Sequence, residues 1–137
     1  MTDICSFIRD YLLNCNILDE EHIVLSFENT ALDTLISITQ TDEESPILTY
    51  GSGYAVLRPR VTFRIRSPDR DKTWALVSEI SAACHNRTVG GVRMFRLRVR
   101  DVGLIRLTTQ AVDGGEPMSV ESFLVIMEFR CLIPNSI

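Results

Sequence analysis

The chain has 137 residues, 45% of them hydrophobic and 23% charged, and a formal net charge of −4. That length suits one domain with a sizeable core, and no apolar run approaches the roughly 18 residues of a membrane-spanning helix. The opening Met1-Thr2-Asp3-Ile4 lacks the basic start and cleavage site of a signal peptide, so folding in the cytoplasm is expected. The charge is unevenly spread. Residues 1–50 carry ten acids against Arg9 alone, while residues 51–137 carry eight acids against thirteen basic residues, twelve of them Arg and one Lys72, giving halves of about −9 and +5. Arg forms bidentate bonds to carboxylates and phosphates and tolerates partial burial better than Lys. The halves either pair within one chain, or the acidic surface of one subunit meets the basic surface of the next in a head-to-tail ring or stack. Nucleic-acid binding is a weaker third option for an acidic protein.

In chain order, residues 3–14 read as a helix. Ile4, Phe7, Ile8, Tyr11 and Leu12 form one stripe, and Thr2 or Asp3 is placed to cap it. Residues 14–30 are acidic and irregular, interrupted by a short apolar run at Ile23-Val24-Leu25 that suits a brief extended piece. Residues 33–39 read as a strand. Residues 40–54, with Asp42, Glu43, Glu44, Pro46 and Gly51-Ser52-Gly53, read as a mobile loop. The Gly-Ser-Gly lacks the spacing and context of a phosphate-binding loop.

The stretch 56–86 is the predicted centre of the domain. In residues 61–66 the apolar Val61, Phe63 and Ile65 alternate with Thr62, Arg64 and Arg66, the period of a strand. Ser67 or Asp69 then offers a helix N-cap, and Trp74, Val77, Ile80, Ala83 and Cys84 recur at helical spacing up to Asn86, a common left-handed terminator. Val61, Phe63 and Ile65 are expected to pack beneath Trp74, Val77 and Ile80. After a turn at Val89-Gly90-Gly91 comes a strand over 92–101 whose alternation slips near Met94-Phe95, the mark of a bulge or of a strand covered on both faces. Residues 102–118 read as a second long loop or an extended hairpin arm. The closing strand over 121–132 puts Phe123, Val125, Met127, Phe129 and Cys131 on one face and Leu124 and Ile126 on the other, so it is expected to be central and to end at Pro134. The fold class that follows is α+β: a mostly antiparallel sheet of four or five strands with two helices on one face, a long loop at about 40–54 and an arm at about 102–118, all in a single domain spanning 1–137.

No catalytic constellation is evident. There is no nucleophile-elbow motif, no His with an ordered Cys or Ser partner and no convincing carboxylate pair. Cys5, Cys15, Cys84 and Cys131 lack zinc-ligand spacing, and Cys5, Cys84 and Cys131 fall at apolar positions as small buried hydrophobes. Asp69 and Asp71 suit the start of the helix that follows them. No cofactor or metal is expected. The chemistry-bearing feature is instead Arg96, Arg98 and Arg100 aligned beyond the slip, which with Arg64 and Arg66 make an arginine-rich sheet face. Such a face is a solvated surface, a contact for a neighbouring subunit's carboxylates, or a contact for DNA phosphates.

The layout resembles the tail-terminator, or minor capsid, proteins of tailed bacteriophages over nearly the whole chain. The residues that carry the resemblance are Tyr54 to Ser67 as a strand with Arg, the helix from Lys72 to Asn86, the Gly turn in Thr88-Val89-Gly90-Gly91-Val92-Arg93, the long arm, and the apolar strand with Ser122-Phe123-Leu124-Val125. The acidic stretch 19–44 and the arm's length depart from the family pattern. The resemblance implies a virion protein, not an enzyme, forming a homo-hexameric ring on the head-proximal end of the tail tube. It would stop tube polymerisation and join tail to neck. Implied partners are the tail tube protein, a neck or head-completion protein, and phage DNA passing through the lumen without sequence-specific binding; no membrane is involved. The implied interface residues are Arg64, Arg66, Arg96, Arg98, Arg100, Asp42, Glu43, Glu44, Tyr54, Arg58 and Arg106. A head-completion or neck connector is the alternative within the same apparatus, and a small cytoplasmic ligand-binding or enzymatic α+β domain is the alternative outside it.

Overall fold

The computed structural model describes the backbone of residues 4–25, 34–49, 54–108 and 119–136, and the side chains of these except at 41–49, 54–58, 107–108, 119–120 and 133–136. The first helix, α1, is Ile4–Asn14, and it buries Ile4, Cys5, Ile8 and Leu12. A single 3-10 turn, Glu20–His22, leads into strand β1, Ile23–Leu25. Then come β2 (Leu35–Thr49), β3 (Tyr54–Ser67), helix α2 (Arg70–Cys84), β4 (Arg87–Val89), β5 (Val92–Thr108) and β6 (Ser119–Ser136). The strands form one six-stranded sheet in the order β1-β2-β3-β6-β5-β4. Only β1 and β2 pair in parallel; the remaining neighbours are antiparallel. The α+β reading holds, with six strands where four or five were expected. The additions, β1 and β4, are three residues each, too short to show a period.

Both helices lie on one face. The rows Ile36–Ile65–Val125 and Ile38–Phe63–Met127 run across the sheet, and their side chains join those of α1 and α2 in a single buried cluster. Residues directly opposite in an antiparallel ladder share a face, so one register fixes the whole core. In α2, Thr73, Leu76, Val77, Ile80 and Cys84 are buried, while Trp74 and Ala83 are half-buried at its margin. The helix starts where expected. The Asp69 carboxylate accepts from the Asp71 backbone N–H at 3.0 Å, filling a donor that the first turn leaves without a partner. It stops at Cys84, with Asn86 in the left-handed region at φ 55°. Thr73 Oγ1 lies 3.2 Å from the carbonyl of Phe123, fastening α2 to β6. The Tyr11 hydroxyl donates to the Ala83 carbonyl at 2.6 Å, fastening α1 to the end of α2.

The turn between β4 and β5 is Gly90-Gly91, with φ of 56° and 83°, joining the opposed Val89 and Val92. Two successive positive-φ residues match the right-handed twist of a hairpin, and glycine adopts them without the Cβ penalty. The turn also abuts α1: a Cβ at Gly90 would stand 3.0 Å from the Phe7 ring, whereas one at Gly91 would meet nothing within 4 Å. The sheet therefore curls until its β4 end reaches the helix that covers β1 and β2. Gly91→Ala should cost about 1–2 kcal/mol from backbone strain alone. Gly90→Ala should cost measurably more in urea denaturation, because it adds a collision with Phe7; equal losses would show that Phe7 yields freely.

The stretch 40–54 is not a loop where the structure describes it. Residues 40–49 continue β2 and residues 54–60 continue β3, paired from Gln40↔Val61 to Thr49↔Tyr54. Two register shifts, between Gln40 and Asp42 and between Glu44 and Ile47, each insert one extra residue on β2. Bulges are where a strand accommodates proline, and Pro46 lies inside the second shift. The acids and proline that look like a loop thus decorate a bent strand. The tip, residues 50–53 with the Gly-Ser-Gly, lies outside the described residues.

The slip expected in β5 is present, one residue further on than the alternation suggests. Register shifts between Phe95 and Arg98, and Arg96 occupies the left-handed region at φ 53°. A second shift follows between Asp101 and Gly103, where Gly103 has φ 86° and its N–H donates to Asp101 Oδ1 at 2.9 Å. Beyond it, β5 and β6 pair out to Thr108↔Ser119, the described base of the expected arm; residues 109–118 lie outside the described residues. Finally, β6 does not end at Pro134 but runs to Ser136, with Pro134 opposite Val56. Pairing with β5 begins at Leu132, so Pro134 lies past that neighbour, where β6 pairs with β3 alone, the edge setting in which a strand tolerates proline.

Candidate interface

The sheet has two faces and two ends, and the arginines are best located on both. On the face away from the helices, three rows cross the sheet: Leu35–Arg66–Leu124, Ser37–Arg64–Ile126–Arg100 and Thr39–Thr62–Glu128–Arg98. Arg64, Arg66, Arg98 and Arg100 therefore share one face, as the alternation predicts. Their surroundings differ sharply. Arg66 is 1% exposed and sits between Leu35 and Leu124, which are themselves buried. Arg66 has an interaction partner within the chain. A side chain so enclosed is part of the inside of the fold, and no partner reaches it. Arg64 is half-buried and also engaged. Arg98 and Arg100 are exposed.

Arg96 leaves this alignment. The bulge turns its backbone, and its guanidinium stands 5.9 Å from the centre of the Phe95 ring, a cation–π contact. Two acids sit near the strip. Glu128, opposite Arg98 in register, pairs diagonally with Arg60 at 3.3 Å. Asp101 pairs with Arg70 of α2 at 3.4 Å. Arg106 is taken up by Glu121 across the ladder at 3.1 Å. That pair is largely exposed, which limits its stabilisation to about 0–1 kcal/mol. No ion pair reaches Arg93, Arg96, Arg98 or Arg100 among the described residues. Arg98, Val99, Arg100, Ile126 and Glu128 line an open hollow of about 440 Å³.

The other candidates fall in the long hairpin. Asp42, Glu43 and Glu44 lie on β2 with their Cα atoms opposite Arg60, Pro59 and Arg58, and Tyr54 begins β3 opposite Thr49. The side chains of Asp42, Glu43, Glu44, Tyr54 and Arg58 are outside the described residues. In the acidic half, Asp19, Glu20 and Glu21 are 85, 83 and 74% exposed. Glu20 lies 3.9 Å from Arg9 of its own half. Among the described side chains, Asp19, Glu20 and Glu21 lie within ion-pair distance only of residues of their own half.

Sequence reading missed the apolar part of β5. Val99, Val102 and Leu104 are 42, 41 and 55% exposed, interleaved with the free guanidiniums. The signal was present in the run Leu97 to Leu107, but apolar residues in a strand are ordinarily assigned to a core. The thiols need no special chemistry. Cys5, Cys84 and Cys131 are buried, and burial pushes the Cys84 and Cys131 thiols up to about 12, so they remain neutral at physiological pH. Cys15 is exposed. Ligand atoms of Asp19, Glu21 and His22 lie within 4.8 Å of one another on the surface, an arrangement common without an ion. No described helix is long and apolar enough to cross a membrane.

No protein-family model matches the chain, and no curated protein matches its sequence. Among solved structures, it is similar to a chain of the "Virion of native gene transfer agent (GTA) particle", at a TM-score of 0.46 and 10% sequence identity, over 96% of this chain and 99% of that one.

Proposed function

We propose that the protein is a structural virion component of the phage tail-terminator kind, a homo-hexameric ring that caps the head-proximal end of the tail tube and joins it to the neck. The observation that carries this reading is the direction of the two long hairpins. From the register, β3 and β5 run one way and β2 and β6 the other. The β2–β3 turn therefore leaves one end of the sheet and the β5–β6 turn leaves the opposite end. Residues 40–49 alone extend roughly 30 Å at about 3.3 Å per residue. A component that stops one polymer and receives another structure needs contact elements on both ends, and a sheet whose two hairpin turns leave at opposite ends supplies them. Lumen DNA would pass such a ring without base contacts, held by charge alone.

The experiment is tube assembly from the cognate tube protein with and without this chain, viewed by electron microscopy. Expected are shorter tubes, each with a ring at one end. Replacing residues 107–120 by an Asn-Gly turn should leave the ring intact and abolish binding to one of its two axial partners. Tubes that grow without limit and carry no ring at either end reject the reading. Binding to the portal-side adaptor instead of the tube would assign the neck-connector role.

A further inference from the structure

We infer that the lateral contact of the assembly is made by the β5 edge of one copy against the β1 edge of the next, with Arg98 and Arg100 facing the acids of residues 19–21. This rests on the ring reading above but concerns a different surface from the hairpin tips.

The β5 side is a surface that calls for an occupant. From Arg98 to Val102 every side chain is exposed, on both faces of the strand. One face presents Arg98 and Arg100 without ion-pair partners, and Val99, Val102 and Leu104 add apolar area that water does not favour. Isolated apolar residues on a surface are ordinary, but three on one outlying strand beside unpaired cations form a patch with the composition of a contact. In register, β4 covers β5 only at Val92 to Met94.

The occupant is a second copy, because the complementary surface is on the other edge of the same sheet. Asp19, Glu20 and Glu21 stand at the start of β1, highly exposed, and among the described residues only Arg9 and His22 lie within ion-pair distance of them. A contact between two different edges is heterologous, and it closes into a ring when both patches stand at the same level along the ring axis. The register supplies that level. Ile23, Ile36, Ile65, Val125 and Asp101 occupy one row across the sheet. Arg100 lies one residue to one side of this row and Glu21 two residues to the other, about 10 Å apart along the strands, a gap that an arginine and a glutamate side chain together span. Arg98 lies two residues further from the row along β5, so Arg100 makes the closer approach.

The test is a charge swap read by native mass spectrometry, with circular dichroism confirming folded chains. Wild-type protein should be hexameric and should dissociate as salt rises. R98E/R100E should be at least tenfold weaker in assembly, E20R/E21R likewise, and the chain carrying all four changes should assemble again. Hexamers that persist unchanged in R98E/R100E overturn this contact while leaving the ring reading standing. Loss in both double variants without recovery in the combined one also overturns it, because it removes the pairing between the two edges. A wild type that stays monomeric at high concentration overturns the ring itself.

Discussion

Arg66→Glu is expected to unfold the protein or to lower its melting temperature by more than 10 °C. The alternation of residues 61–66 places Arg66 beside Arg64 on the face opposite the helices, and read from sequence the pair should tolerate charge reversal and lose only its partner. The structure separates them. Arg66 is 1% exposed between buried Leu35 and Leu124 and is engaged within the chain. Removing a buried charged side chain together with its interaction in the chain costs about 3–5 kcal/mol. Installing a carboxylate there adds a second buried charge. At this chain length each kcal/mol moves the midpoint by roughly 3–5 °C. The control is Arg100→Glu, exposed and unpaired in the same chain, which should change stability by no more than about 0.5 kcal/mol. A thermal scan in which R66E melts within 3 °C of wild type would put Arg66 on the surface after all.

The contrast shows what a sequence can and cannot carry. Parity assigns a residue to a face of a sheet, and here it does so correctly for Arg64, Arg66, Arg98 and Arg100. It does not say whether that face is covered, because coverage depends on how far the sheet curls, and curl comes from bulges and from long-range contacts such as Gly90 against Phe7. The unit of β3 and α2 was legible because each element has a clean period and the switch between them is marked by Ser67, Pro68 and Asp69. The bulge in β5 was legible for the same reason, as a break in a period. The extension of β2 through Asp42, Glu43, Glu44 and Pro46 was not, because acids and proline signal a loop locally, and only pairing with β3 overrides them. The exposed Val99, Val102 and Leu104 were not either. Composition cannot distinguish an apolar residue that faces a core from one that waits for another chain.

Phe63→Ala is the second large effect expected, a loss of about 3–5 kcal/mol in urea denaturation. Phe63 is fully buried at the crossing of the sheet with the helix layer, in the row Ile38–Phe63–Met127. Its ring meets that of Phe129 edge-on, with centroids 5.5 Å apart and planes at 84°. Phe129 lies on the neighbouring strand opposite Val61, so the two rings are diagonal neighbours across the β3–β6 ladder. The alanine loses the transfer energy of the ring and leaves a cavity that two paired strands, held by their ladder, cannot collapse to fill. The ring–ring term separates from the burial term by a double-mutant cycle. Phe63→Leu and Phe129→Leu each keep most of the apolar volume, and their coupling should be about 0.5–1.5 kcal/mol, the usual excess for an edge-to-face pair. Both values bear on the interface as well. Val61, Phe63 and Ile65 hold β3, and β3 carries one side of β6 while β6 carries the exposed part of β5. A softened core should therefore also weaken assembly, whereas R98E/R100E should weaken assembly with the melting temperature unchanged. If Phe63→Ala costs less than about 1.5 kcal/mol and the coupling is zero, the two rings do not form the centre of this core.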